Sequence, residues 1–293
     1  MYVRNAVSTQ EPLMIFKKAL TALTLSAAGM LSVPTAQAAL LIGGDATSQA
    51  TATSIVDIVF AIDTSGSMSD DIASIGAKAQ QVITNLNCPT SDCYVRARFF
   101  ANRWTSGSLF NEDAYDYVNA RNGSLLPRFD DTEDNGLVVQ DLIQYYEWNN
   151  DAVGSQNYYK AVVTIGDEGT VNGEPVNTSD YTAAKAANDA AIAAGVFLFG
   201  WVADDPTTPA VGPLFQAMAV GGTAGGITYG NTGGGYVSGP LTDVTVESQL
   251  EAIICAVAGG GNPVPEPASL ALVGLALTGS VAAAARRRKQ HQA

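Results

Sequence analysis

The stretch Asp63-Thr64-Ser65-Gly66-Ser67 sets a carboxylate and two hydroxyls at alternate positions. A turn can aim three such side chains at one point while Gly66 relieves backbone crowding. Thr132, within the acidic run Asp130-Asp131-Thr132-Glu133-Asp134, and Asp167, after Val162-Val163-Thr164-Ile165-Gly166, offer two further oxygens. These are hard donors suited to Mg²⁺, Ca²⁺ or Mn²⁺, whereas soft-metal sites draw on thiolates and imidazoles. Each also has a plainer reading. Asp and Ser are common turn and N-cap residues, Thr132 stands where a helix cap would, and a lone Asp167 can simply cap a turn.

The elements around these residues decide how much weight they bear. Ile55 to Ile62 is a nearly continuous apolar run rich in β-branched residues, as expected of a central parallel strand covered on both faces. It stops abruptly at Asp63, and Ile72, Ile75, Ala79, Val82, Ile83 and Leu86 then recur at helical spacing. The same rhythm predicts strands over 94–100, 161–165 and 196–202, with a short one at 227–229. Helices are predicted over 137–146, 181–194, 210–219 and 246–257, and a long polar excursion runs through Asp131. Strands alternating with helices imply an α/β fold: a doubly wound, mostly parallel central sheet with helices on both faces. Sites in such folds form beyond the carboxyl ends of the strands. Asp63, Thr132 and Asp167 all fall in post-strand or pre-helix loops.

In that order and in those places, Asp63, Ser65, Ser67, Thr132 and Asp167 resemble the metal-ion-dependent adhesion site of von Willebrand factor type A domains. The resemblance covers roughly residues 54–257, agreement across several levels being stronger than any one motif. It implies a Rossmann-like domain that binds Mg²⁺, with Ca²⁺ or Mn²⁺ as alternatives. Ser65, Ser67 and Thr132 would supply neutral oxygens, and Asp63 and Asp167 would bind directly or through water. An open coordination position would then attract a Glu or Asp from a partner, so an acidic domain can still bind an acidic ligand locally. Two departures bear on metal and ligand: Asp131 precedes Thr132 where glycine is common, and Gly166-Asp167-Glu168-Gly169 stands where Thr-Asp-Gly is common. Glu168 and the acidic run would shift preference toward Ca²⁺ or fill the open position, unless Glu168 is a solvated loop charge.

The two ends speak to destination. Lys17 and Lys18, the apolar run Ala19 to Val33 and then Ala36-Gln37-Ala38 have the three-part layout of a secretory signal peptide. At the other end Val264-Pro265-Glu266-Pro267-Ala268-Ser269 leads into an apolar stretch ending at Ala285, followed by Arg286-Arg287-Arg288-Lys289. Eighteen residues of helix span about 27 Å, just enough to cross a bilayer, with the basic residues cytoplasmic. This tail resembles the PEP-CTERM sorting signal of Gram-negative bacteria, which implies recognition by an exosortase, removal of the tail and delivery to the cell surface or extracellular matrix. The expected organisation is a signal peptide over 1–38, with Met14 as an alternative start, and a short linker over 39–53. A von Willebrand factor type A-like domain over 54–257, a Gly-rich linker over 258–263 and the sorting signal over 264–293 complete it.

Composition excludes several classes. The 293 residues carry 15 Lys+Arg against 28 Asp+Glu, a net charge of −13, which opposes a phosphate-backbone surface and hence nucleic acid. The single histidine, His291, lies in the tail, so histidine triads and multi-His zinc sites are excluded. No Gly-x-Ser-x-Gly elbow or phosphate loop occurs, and Asp63-Thr64-Ser65 lacks the second Asp of a phosphatase-like pair. Adjacent Asp167 and Glu168 do not give the opposed geometry of a glycosidase. The leading expectation is therefore a non-enzymatic, metal-dependent binding module contacting a protein or matrix polymer. A structural matrix component with a stabilising metal and a carboxylate-dependent hydrolase are the alternatives. Cys88, Cys93 and Cys255 suit an exported protein; Cys88 and Cys93 could close a small loop, leaving Cys255 buried and inert. Trp104, Trp148 and Trp201, with Tyr145, Tyr146, Tyr158 and Tyr159, could stack on sugars or serve as core mass.

Overall fold

The apolar run that begins the domain forms a strand whose nine residues, Ser54–Ile62, are all buried, because helices cover both faces of the sheet it centres. The computed structural model describes residues 40–88, 92–103, 110, 113–123, 132–203, 209–239, 241 and 243–261. In chain order the elements are β1 (Leu41–Gly43), β2 (Ser54–Ile62), α1 (Ser69–Asn85), β3 (Cys93–Ala101), α2 (Ala114–Asn122), α3 (Asn135–Tyr145), β4 (Asn157–Gly166), α4 (Thr178–Ala194), β5 (Phe197–Val202), α5 (Val211–Val220), β6 (Gly222–Ala224), β7 (Ile227–Tyr229), β8 (Tyr236–Ser238) and α6 (Asp243–Ala258). Six strands pair in the order β1-β3-β2-β4-β5-β8. All pairs are parallel except β1 against β3.

Strand alternation divides the core in two. Val56, Ile58, Phe60 and Ile62 of β2 face α1 and α6, packing on Ile75, Ile83, Leu250 and Ile254. Val59 and Ala61 face the other way, toward Tyr117, Val139, Leu142, Ala187 and Phe215 of α2, α3, α4 and α5. Each fully buried Ile, Val or Phe contributes about 1.5–3 kcal/mol relative to exposure. Phe60 and Phe99 stack across β2 and β3 with centroids 4.2 Å apart.

The mixed α/β architecture with a mostly parallel central sheet is as expected, and three local readings are corrected. Residues 41–43, read as part of a linker, form an antiparallel edge strand on β3; three residues are too few for a period-2 pattern to register. The polar excursion contains α2, which Asp113 caps by accepting from the Asp116 amide at 2.7 Å and which Gly123 ends in the left-handed region at φ 71°. The strand at 227–229 pairs antiparallel with β6 in a separate two-stranded sheet.

The cysteines also pair otherwise than a short loop would have it. Cys88 is bonded to Cys255, 167 residues away. Packing α1 beside α6 brings the two Cα atoms to 5.1 Å. Cys93 opens β3 as a buried free thiol with its Sγ 3.7 Å from that of Cys88. Burial, with the Asp45 carboxylate beside it, pushes the Cys93 thiol up to about 12.

Candidate metal centre

β2 ends where the loops after four parallel strands meet. The amide of Asp63 donates to Ile165 O at 2.9 Å, that of Asn102 to Ile62 O at 2.9 Å, and that of Ala203 to Gly166 O at 3.0 Å. Asp63 is fully buried. Its Oδ1 accepts from the Ser65 amide at 2.7 Å, an Asx-turn that bends the chain back over the strand end. That bend brings the Ser65 and Ser67 hydroxyls to 2.8 Å of each other. Ser65 is buried and Ser67 exposed, so the hydroxyl pair runs from the strand edge out to solvent.

The other two loops are tied to this edge by side-chain amides and one carboxylate. Asn102, just past β3, donates from Nδ2 to Thr132 O at 3.1 Å and to Asn135 Oδ1 at 3.0 Å. Thr164 of β4 donates to the same Asn135 oxygen at 3.0 Å. Asp180, buried at the start of α4, gathers the loop after β4: Oδ1 accepts from the Thr170 and Val171 amides at 2.7 and 2.8 Å, and Oδ2 from the Asn177 amide at 2.8 Å. The amide of Gly136 donates to Thr170 O at 3.1 Å, and that of Asn172 to Asp134 Oδ1 at 3.1 Å. The segments that carry Thr132 and Asp167 are thereby stitched to each other and to the end of β2.

Close packing here needs glycine. A Cβ on Gly166 would lie 2.6 Å from Asn135 Nδ2 and 3.3 Å from Asp63 Cβ. Gly173, at φ 68°, is where the Glu133 and Glu168 carboxylates both reach, and a Cβ there would overlap the two. Glu168 is half-buried in this arrangement.

The edge is strongly acidic. Burial raises Asp63 well above the usual carboxylate range; its bonds to Ser65 oppose this, and the charges of Asp167 and Glu133 add to it. Asp71, in the first turn of α1, is pushed up to about 6 by burial, then by Asp167 and Asp70. The charges that raise both groups are all carboxylates: Asp167 and Glu133 on Asp63, Asp167 and Asp70 on Asp71. Asp63 Oδ2 is buried with no hydrogen-bond partner among the described residues, a costly arrangement for a carboxylate oxygen. A hard divalent cation fits both features, since it would accept the orphan oxygen and offset the clustered charge. Among the described residues no three His, Cys, Asp or Glu side chains are placed to hold a metal by themselves, so such a site would lean on Ser and Thr oxygens.

Of the residues singled out by sequence, Asp63, Ser65 and Ser67 share one turn and are linked by hydrogen bonds. Asp167 lies within charge reach of Asp63 and Asp71, and Thr132 is held through its carbonyl to Asn102. Asp131 lies outside the described residues. Sequence reasoning passed over Asp71, Asn102 and Asn135. Asn102 could have been found as the first residue beyond a parallel strand, where sites form; Asn135 and Asp71 carry no pattern beyond their places at helix starts.

Comparison with known families adds one finding. Residues 263–289 match the PEP-CTERM protein-sorting motif. The PEP-CTERM motif implies an exported protein of a Gram-negative bacterium, processed by an exosortase with transient membrane anchoring. No von Willebrand factor type A match accompanies it, and no curated protein matches the chain. Among the described residues no helix is long and apolar enough to cross a membrane. The expected signal peptide over 1–38 and the PEP-CTERM tail with its span from Ala268 to Ala285 lie outside the described residues.

Proposed function

We propose that this exported chain is a divalent-metal-dependent binding module of the von Willebrand factor type A kind. It acts at the cell surface or in the extracellular matrix and contacts a protein or matrix polymer. The observation that carries the reading is the buried Asp63 carboxylate, with an orphan Oδ2, beside a pair of hydroxyls at the carboxyl edge of a parallel sheet. Asp63, Ser65, Ser67, Thr132 and Asp167 would hold the ion, with Mg²⁺ first and Ca²⁺ or Mn²⁺ as alternatives. The bound ion would offer a ligand carboxylate an open coordination position. The role is non-enzymatic.

Asn135 and Asp180 tie the loops together through their own hydrogen bonds, which favours ligand binding over a purely stabilising metal. Calorimetric titration of the purified protein with Mg²⁺, Ca²⁺ and Mn²⁺, alongside Ser65→Ala, tests the proposal. Saturable binding that weakens at least tenfold in the variant supports it, and no heat with any of the three ions refutes it.

A further inference from the structure

Toward the amino-terminal half of β2, the polar face of the sheet opens into a cavity of about 380 Å³ lined by Asp57, Arg96, Arg98, Tyr146, Trp148 and Asn149, together with Glu147 and Leu40. Asp57 precedes Asp63 by six residues, about 20 Å along an extended strand, so this cavity is separate from the candidate metal centre. Its charges are unevenly satisfied. Arg96 spends all three nitrogens, on Asp57 Oδ1 at 2.6 Å, Asp151 Oδ2 at 2.9 Å and Asn149 O at 2.6 Å. Asp57 Oδ2 accepts from Tyr158 Oη at 2.7 Å and from the Asn149 amide at 3.0 Å. Glu147 pairs with Arg121 at 3.2 Å.

Arg98 is different. Among the described residues it makes no hydrogen bond or ion pair, and its Nε is buried without a partner. Its guanidinium carbon lies 5.9 Å from the ring centres of both Tyr117 and Tyr146, and Trp148 packs edge-on against Tyr146 at 4.6 Å. A half-buried arginine between aromatic rings, lining an open cavity beside a saturated Arg96–Asp57 pair, presents a positive charge that no described residue pairs.

We propose that this cavity binds a small ring-shaped monocarboxylate bearing hydroxyls, the chemistry of a hexuronic acid unit. One free guanidinium matches one carboxylate in bidentate geometry. A dianionic phosphate would leave a charge unanswered and face Asp57 and Glu147. Tyr146 and Trp148 give an apolar wall for a sugar ring, Asn149 and Glu147 are polar partners for hydroxyls, and the volume suits a single small ligand. An exported protein meets such units either as free sugar acids or within acidic polysaccharides.

The test is titration of the purified protein with glucuronate in EDTA, which removes any contribution of a metal centre, following the fluorescence of cavity-lining Trp148 and amide NMR shifts. Saturable glucuronate binding, with glucose and inorganic phosphate at least tenfold weaker, is expected. Arg98→Met should lose at least tenfold in affinity, and Arg98→Lys should lose severalfold because it keeps the charge but not the fork. A tri-uronate binding tighter than the monomer would point to a polymer as source, and equal or weaker binding to a free sugar acid; both support the cavity. Absence of saturation in EDTA, equal affinity for phosphate, or undiminished binding by both Arg98→Met and Arg98→Lys overturns the proposal.

Discussion

Replacing Asp63 by Asn should move metal-free stability and metal response in opposite directions. The Asp63 carboxylate is fully buried, and burial, Asp167 and Glu133 all resist its ionisation. Asn keeps an acceptor for the Ser65 amide and removes the charge. A buried unsatisfied group costs about 1–3 kcal/mol, and part of this is recovered when the charge goes. For a domain of this size each 1 kcal/mol shifts the melting temperature by roughly 2–4 °C. In EDTA at pH 7.5, Asp63→Asn should therefore melt a few degrees above wild type. With Mg²⁺ at a hundred times its dissociation constant, wild type should gain about 2.7 kcal/mol, and the variant far less. Differential scanning calorimetry with and without Mg²⁺ reads both effects. Equal Mg²⁺ stabilisation of both proteins, or a variant less stable than wild type in EDTA, would refute the reasoning.

Further expectations follow from the same geometry. The Asp71 carboxyl, held up at about 6, costs folded stability as pH rises from near 4 through 6, because the folded state keeps the proton that the unfolded state has released. Asp71→Asn should therefore raise the metal-free melting temperature at pH 8 and leave it unchanged at pH 4, measured by thermal unfolding across that range. Arg96→Met strands the buried Asp57 carboxylate and should cost about 3–5 kcal/mol in urea unfolding; a cost under 1 kcal/mol would contradict the network. Peptide mapping without reduction should recover Cys88 linked to Cys255, and Cys255→Ser should destabilise the domain by about 2–5 kcal/mol, a loop of 167 residues being released.

What the sequence made legible follows from burial. β2, β3 and β5 carry enough buried apolar residues to announce themselves, and their ends differ from expectation by a residue or so. The apolar run of β4 begins only at Ala161, yet the strand starts at Asn157, because its first residues, Tyr158 and Lys160 among them, sit on the polar half of the sheet face where Asp57 and Arg96 are also found. That same polar patch hid the cavity around Arg98, since charged residues within a strand look like solvent positions until the partner strands are seen. β8 was lost among glycines, and α2 among Asp, Asn and Arg residues whose helix buries Tyr115, Tyr117 and Val118. Asp63, Ser65 and Ser67 stand out in the sequence because a single local turn brings them together. Asn135 and Asp71 join them only through long-range hydrogen bonds or charge, which no spacing encodes.

The most direct measurement is an anomalous difference map from crystals of the protein soaked in Mn²⁺. The account predicts one strong peak at the carboxyl edge of β2, within coordination distance of the Ser65 and Ser67 hydroxyls and reached by Asp63 and Asp167 directly or through water. A map with no peak there, in crystals that take up Mn²⁺ elsewhere, would contradict it.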